Sequence, residues 1–324
     1  MRVENMGHIE LDEQNAGNGP GYAEALFESS VRRALVHKLS LSEVFLTDFV
    51  QTGPEHFAAG AQWPRWHVFY GSGDGLPDSA LMAETLRQSV ILLAHSSGVP
   101  MDHKFLMPRL GVSMEEVRLD PLTPTQLSMD LELRDVKFSG SSPAALSVEA
   151  RFAVDGENIG SGSAGARIVT PAGYERFRRS AVIGEPPRVG TPLDPSVVGH
   201  STPRNVMLGE EVRPSVWPLR VDTSHPIFFD HPLDHVPGML LIEAARQAVR
   251  AATGRPAADF SRFEAEFVKI AELADPIELA VTLPGPRDRE AAPETAGKAR
   301  RNPLEVRVLS GEDVLMILQA AVWN

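Results

Sequence analysis

The stretch that decides the fold is GMLLIEAARQAVRAAT, residues 238–253. It follows Pro237, a residue suited to the start of a helix, and precedes Gly254, the residue type that most often ends one. A helix of this length spans roughly 24 Å, because each residue adds ~1.5 Å. Apolar or small side chains cover nearly all its faces, whereas a surface helix has a broad polar face. The segment therefore predicts one long buried helix.

A second copy of this pattern lies earlier in the chain. AETLRQ, residues 83–88, matches IEAARQ, residues 242–247, with Glu, Arg and Gln identical at one offset of 159. The matching helix is predicted from about Asp78, which suits an N-cap, to Gly98. Such self-similarity indicates a duplicated domain.

The duplication divides the chain into two repeats, residues 23–175 and 198–324. Residues 176–197 are rich in Pro and Gly and predict a linker, and the polar residues 1–22 predict a disordered tail. Segments with a period near two follow each helix and indicate β-strands. They are Gln126–Val136, Ala145–Val154 and Gly160–Thr170 in the first repeat, and Phe263–Ala271, Pro276–Leu283, Leu304–Leu309 and Val314–Trp323 in the second. One helix followed by several strands predicts an α+β fold, in which an antiparallel sheet wraps each long central helix.

The composition argues against several classes of function. The net charge is −12, so a nucleic-acid partner is not expected, because phosphate binding needs a concentrated positive field. No apolar run approaches the ~18 residues of a membrane helix, so no membrane association is expected either. The chain has no cysteine, which excludes disulfides and thiolate catalysis and fits a cytoplasmic location. No cofactor is implied.

Polar residues form a stripe along each apolar helix. Glu243, Arg246 and Gln247 lie three and four positions apart, so they share one face of the second helix. Glu84 and Arg87, followed by Gln88, repeat the pattern in the first helix. One interpretation is a structural network that fixes the packing of the two repeats. The other is a partly enclosed cleft, in which these charges meet a ligand, because a buried charge needs a partner.

A loop rich in His and Asp precedes the second helix. HPIFFDHPLDHVPG, residues 225–238, carries His225, His231 and His235 together with Asp230 and Asp234. Their spacing matches no zinc pattern, so no metal is expected. Acid–base chemistry is favoured instead, because a histidine exchanges protons near neutral pH. The backbone N–H groups after Pro237 can polarise a thioester carbonyl, and glycine at position 238 lets a substrate approach them.

Two segments resemble a known family. HPIFFDHPLDHVPGMLLIEAARQA, residues 225–248, and ETLRQ, residues 84–88, resemble the two repeat signatures of the A-factor biosynthesis hotdog family. The resemblance implies a tandem (double) hotdog fold. It also implies an acyltransferase that passes a β-ketoacyl group from acyl carrier protein (or coenzyme A) to dihydroxyacetone phosphate, on the way to a γ-butyrolactone or butenolide signal.

The loop and helix also resemble the more distant 3-hydroxyacyl-carrier-protein dehydratases. That likeness places His231 and Glu243 at the catalytic positions. The loop before Pro237 is two residues shorter than in those enzymes, and Arg246 stands where they have a small or apolar residue. Both departures favour the butyrolactone branch over dehydration.

These resemblances define the expected site. The expected catalytic residues are Glu243 as base, Arg246 as the partner of the phosphate or of Glu243, His231 and Glu84. The expected substrate-binding residues are Arg87, Gln247, Gly238, Asp234, His235 and His225.

The first repeat lacks the His/Asp loop, so its role stays open. It has Gly71 and Ser72 in place of Asp230 and His231. It either contributes Glu84 to a site between the halves of an intramolecular pseudodimer or serves only as the structural half. The alternative functions are a hotdog dehydratase or thioesterase acting on acyl thioesters, and a non-catalytic protein that binds an acyl chain or lactone.

Overall fold

The computed structural model describes residues 26–71, 75–140, 142–181, 184, 187–285 and 302–323, without the side chains of residues 302 and 303. The predicted disordered tail, residues 1–22, lies outside the described residues. Within these ranges no helix is long and apolar enough to cross a bilayer.

The first repeat contains six strands and one long helix. Helix α1 is Ser79–Ser96, and the strands are β1 Leu46–Gln51, β2 His56–Trp63, β3 Lys104–Met114, β4 Thr125–Ser139, β5 Ser142–Val154 and β6 Glu157–Val169. A short helix, α2, spans Pro171–Arg178 and runs across the predicted start of the linker. Every residue of α1 except Arg87 and Ser96 is buried. The predicted central helix of this repeat is therefore confirmed.

The second repeat has a similar order of elements. Helix α3 is Gly238–Thr253, and the strands are β7 Val216–Pro218, β8 Phe260–Phe267, β9 Glu278–Thr282, β10 Asn302–Ser310 and β11 Asp313–Val322. Helix α3 is buried from Met239 to Arg250 and ends at Gly254, which has a φ of 63°. The left-handed region that this angle occupies carries no steric penalty for glycine.

All described strands join in one antiparallel sheet of eleven. Their order is β1-β2-β4-β5-β6-β3-β8-β11-β10-β9-β7, so the two repeats meet where β3 pairs with β8. Each half of the sheet packs on its own helix, which confirms the α+β tandem hotdog architecture.

The duplication extends further towards the N-terminus than the helices. A 3-10 turn at Arg33–Val36 has a counterpart at Pro195–Val198, and the next residues, His37 and Gly199, both have left-handed backbones, with φ of 54° and 74°. Each turn leads into a segment held by the helix glutamine of its own repeat. The Gln88 Oε1 atom accepts a hydrogen bond from the Phe45 N–H at 3.1 Å. Gln247 does the same for Met207 at 2.8 Å.

Candidate active site

The polar stripes of the two helices have nearly identical internal geometry. In α1, Arg87 Nε donates to Glu84 Oε2 at 2.8 Å, and Gln88 Nε2 donates to Glu84 Oε1 at 2.9 Å. In α3, Arg246 and Gln247 bind Glu243 in the same way, at 2.7 and 2.8 Å. The two repeats differ in what surrounds each stripe.

The stripe of α3 is enclosed by other charged groups. Arg246 Nη1 lies 3.0 Å from Asp78 Oδ2 and 3.4 Å from Asp259 Oδ2. Glu243 also receives a contact from His200 Nε2 at 3.2 Å. The Arg246 side chain is only 2% exposed, and that of Glu243 is fully buried. A charge in this position is stable only because it is paired on every side.

Asp78 has two tasks in this cluster. Its Oδ1 caps α1 by accepting from the backbone N–H groups of Ala80 and Leu81 at 2.8 and 2.9 Å. Burial tends to raise the pKa of Asp78, but Arg246 and the backbone donors more than offset that effect and hold it below its usual value. Burial raises the pKa of the neighbouring Asp259. Asp78 is also the closer of the two carboxyl groups to Arg246 Nη1, at 3.0 Å against 3.4 Å for Asp259.

The stripe of α1 opens into a cavity. Its Arg87 uses Nε and Nη2 for Glu84, while Nη1 makes no hydrogen bond or ion pair within the described part of the chain. The Arg87 side chain is 20% exposed, ten times the value for Arg246. Lys38 completes the group by placing Nζ 3.0 Å from Glu84 Oε1. One guanidinium edge of Arg87 is thus free to bind a ligand.

Glu84 is held in its ionised form. Burial alone would raise its pKa, but Arg87 and Lys38, together with hydrogen bonds from Arg87 and Gln88, lower the pKa of Glu84 far below its ordinary range. A carboxylate that four donors stabilise in this way is a weak proton acceptor.

The cavity has a volume of about 640 Å³ and draws residues from both repeats. The first repeat contributes Glu84, Arg87, His37 and Lys38, and the second contributes the loop 230–238. Much of the remaining wall is apolar: Ile91, Phe105, Leu110, Leu241, Ile242 and Phe267. A volume of this size, with a few polar groups on an apolar wall, is typical of small-ligand sites.

The loop before α3 is tied to the first repeat at two points. Asp230 accepts hydrogen bonds from the backbone N–H groups of Leu39 and Ser40 at 2.6 and 2.8 Å. Asp234 accepts from the Tyr174 hydroxyl at 2.9 Å and from Arg178 Nε at 3.2 Å, both on α2. These bonds hold the loop over the cavity.

Helix α3 begins beside the cavity without a side-chain cap, because its N-cap residue is Pro237. The first N–H groups of a helix have no acceptor inside the helix and carry a partial positive charge. At the equivalent end of α1 the Asp78 carboxylate occupies this position. Glycine at position 238 serves packing here, since a Cβ atom would lie 2.9 Å from the Phe267 ring.

The structure brings together only some of the residues expected from the sequence. Those that line the cavity are Glu84, Arg87, His231, Asp234, His235 and Gly238. Those outside its lining are Glu243, Arg246, Gln247 and His225. His225 is 1% exposed and packs between Phe69 and Phe228, and burial lowers its pKa to about 4.

Sequence reasoning missed two residues of the cavity, His37 and Lys38. The signal was present in the duplication, because His37-Lys38 falls on Gly199-His200 when the segments before Leu46 and Leu208 are matched. Both side chains therefore differ between the repeats at equivalent positions.

Comparisons with known proteins extend these observations. A family model described as the A-factor biosynthesis hotdog domain matches residues 23–170 and 184–301. A 2-oxo-3-(phosphooxy)propyl 3-oxoalkanoate synthase of Streptomyces virginiae is 38% identical over 254 residues, which cover 76% of this chain and 85% of the relative. A protein of the same name from Streptomyces coelicolor is 34% identical over 264 residues, covering 79% and 83%.

Solved structures with a similar fold include two thioesterases. A putative oleoyl thioesterase from Lactobacillus plantarum has a TM-score of 0.51 at 9% identity and covers 83% of this chain and 96% of its own. A 12:0-ACP thioesterase from Umbellularia californica has a TM-score of 0.50 at 11% identity, covering 82% and 93%. At such low identity the likeness concerns the fold alone.

Proposed function

Because the chain belongs to the A-factor biosynthesis hotdog domain family, we propose that it transfers a 3-oxoacyl (β-ketoacyl) group from a thioester to the hydroxyl of dihydroxyacetone phosphate. The relatives are named for the product of such a transfer, an ester of a 3-oxoalkanoic acid with a phosphorylated three-carbon ketone. Acyl carrier protein is the proposed donor, with coenzyme A as the alternative carrier.

The unpaired Nη1 atom of Arg87 is the observation that carries this proposal. In the other repeat the same atom of Arg246 binds the Asp78 carboxylate at the start of a helix. The cavity offers the same two elements, a guanidinium and an uncapped helix start, and in the described part of the chain Arg87 forms an ion pair with no carboxylate besides Glu84. An anionic substrate group supplies the missing charge. Lys38 strengthens this positive site from 3.0 Å behind Glu84.

The other substrate features match the rest of the cavity. The apolar wall accepts the acyl chain. Three cationic residues, Lys104, Arg167 and Lys269, are exposed around the cavity and suit an acidic carrier protein that presents its thioester there.

Glu84 positions Arg87 and Lys38 and does not act as the base, because both of its oxygens already accept from Arg87, and Gln88 and Lys38 also bind Oε1. The hydroxyl of the acceptor must nevertheless lose a proton. Two histidines line the cavity, His37 and His231, and burial lowers the pKa of both, so each ring is neutral at pH 7 and has one unprotonated nitrogen.

Glu243 and Arg246 have a positioning role in this proposal. Arg246 links the stripe of α3 to the cap of α1, and so holds the halves of an intramolecular pseudodimer in register. Their direct catalytic role, the absence of a metal, a nucleic-acid partner or a membrane contact, and a cytoplasmic location stay predictions from the sequence.

The test is a mass-spectrometric assay of purified protein with a 3-oxoacyl carrier protein and dihydroxyacetone phosphate. The expected product is the phosphorylated ester or the butenolide formed from it. Release of free 3-oxo acid at an equal rate without the acceptor would identify a thioesterase instead. Binding of the thioester with no product at all would favour the non-catalytic alternative.

A further inference from the structure

Two histidines of the first repeat form a hydrogen-bonded pair beside the cavity. The Nε2 atoms of His37 and His95 lie 2.9 Å apart, although the residues are 58 positions apart in sequence. His95 is on α1, and His37 follows the 3-10 turn at Arg33–Val36 with its backbone in the left-handed region. Phe105 packs edge-on against both rings. The His37 ring is therefore held in one place while it lines the cavity.

The hydrogen bonds fix which nitrogen carries each proton. His95 Nδ1 lies 2.9 Å from the Val99 carbonyl oxygen, which can only accept, so Nδ1 of His95 bears the proton. Neutral His95 then has a bare Nε2, and His37 must donate its own Nε2 proton to it. Neutral His37 consequently presents an unprotonated Nδ1.

This Nδ1 atom is not fully buried. It makes no hydrogen bond within the described part of the chain, and it is not among the buried atoms there that lack a partner. The ring that carries this lone pair lines the cavity. Proton-transfer catalysis uses a base that a second fixed group holds in position, and here His95 holds His37 in this way.

Burial and the groups around His37 keep its ring neutral. Burial is the main cause of a pKa lowered to about 3, and His95, Arg87, His231 and Lys104 add to it. These groups come from α1, from the loop before α3 and from β3, while Lys38 and Glu84 lie next to Arg87. A bound phosphate brings negative charge to the same place and raises the proton affinity of His37 when the substrate is present.

The pair occurs only in the repeat with the open cavity. The position of His37 is taken by Gly199 in the second repeat, and at the helix offset of 159 the position of His95 is taken by Gly254. The two histidines therefore occur in the repeat whose arginine, Arg87, has a free Nη1 atom, and they are not part of the pattern that both repeats share.

We infer that His37 is the proton acceptor of the acyl transfer and that His95 is its positioning residue, an inference that rests on the proposed function. His37 Nδ1 takes the proton of the acceptor hydroxyl as its oxygen forms a bond to the thioester carbonyl carbon. The carbon–sulfur bond then breaks, and the same proton passes from His37 to the leaving thiolate, which departs as a thiol. No redox step or additional reactant is needed.

The test is His37→Gly, the residue that the second repeat already has in the same left-handed conformation. This substitution keeps the backbone unstrained and leaves a space the size of an imidazole ring. We expect kcat to fall by about 10²- to 10⁴-fold, with the KM for dihydroxyacetone phosphate changed less than about threefold. Added imidazole should raise the rate of this variant at least about tenfold and should do so in a saturable manner. The rescued rate should fall at acidic pH with the pKa of free imidazole. The matched control is His56→Gly on β2, outside this cavity, which should show neither loss nor rescue.

Three outcomes separate the possibilities. A His37→Gly enzyme that keeps a rate within about fivefold of the wild-type rate overturns the inference. A loss of rate that imidazole rescues in His231→Gly but not in His37→Gly overturns it in favour of His231. A wild-type protein that forms no ester refutes the proposed function instead. Nitrogen-15 NMR of the histidines tests the protonation of the pair independently of the kinetics. Neutral His37 with its proton on Nδ1 would contradict the hydrogen bond from His37 Nε2 to His95 Nε2.

Discussion

Replacing the two equivalent arginines by methionine, one at a time, should separate structure from function. Arg246 is 2% exposed and lies within 3.4 Å of Asp78, Glu243 and Asp259. Its removal leaves these carboxylates buried without their cation, and breaking a buried pair in this way costs about 3–5 kcal/mol. Arg246→Met should therefore lower the free energy of unfolding strongly, while the fraction that folds keeps its KM for dihydroxyacetone phosphate.

Arg87→Met should behave in the opposite way. Glu84 keeps Lys38 at 3.0 Å and Gln88 at 2.9 Å after the change, so the free energy of unfolding should fall by only about 1–2 kcal/mol. The lost charge-assisted bonds to the phosphate are worth about 1.5–3 kcal/mol, which corresponds to a KM raised about 10- to 150-fold.

The assay combines urea unfolding with acyl-transfer kinetics. Trp63 and Trp217 are 3% and 4% exposed, so tryptophan fluorescence reports on the cores of both repeats. An Arg87→Met protein as unstable as Arg246→Met, with an unchanged KM, would refute the distinction between an open and a filled site.

Three further results are expected. Asp230→Ala removes the acceptor of two backbone N–H groups of the first repeat, so the loop before α3 should exchange its amide hydrogens faster and kcat/KM should fall about tenfold or more; unchanged exchange would contradict this. Gly238→Ala places a Cβ atom 2.9 Å from the Phe267 ring and should cost about 1–3 kcal/mol in urea unfolding, and Phe267→Leu in the same chain should recover most of that loss. Glu84 and Glu243 have folded-state pKa values far below the ordinary 4.5. Each therefore stabilises the folded protein above pH 4.5, and this stabilisation is lost as the pH falls towards the pKa of the folded state. Glu84→Gln and Glu243→Gln should each flatten the acid side of the plot of unfolding free energy against pH.

The helices could be predicted because their signals are local. Asp78 and Gly254 cap the two helices, and apolar side chains on nearly every face predict burial without reference to the rest of the chain. Strand β3 had no such signal. Pro108 interrupts it, and the pairing with β6 shifts register between Leu106 and Arg109, so its sequence lacks the regular alternation of a strand.

The site was less predictable because its decisive contacts join distant residues. The sequence places Glu243 and Arg246 on one helix face, but it does not show that Asp78, more than 160 positions earlier, fills the space in front of them. In the same way, nothing local connects His37 with His95. Periodicity predicts that both stripes are buried. Tertiary packing decides which of the two stripes opens into the cavity.

Asp78 also limits how this chain can change. The carboxylate that pairs with Arg246 is the same one that caps α1, so truncating it to free Arg246 would also cost about 1 kcal/mol at the start of a central helix. Here one side chain is both the cap of α1 and the partner of Arg246, so we expect the chain to bind one substrate per pair of repeats.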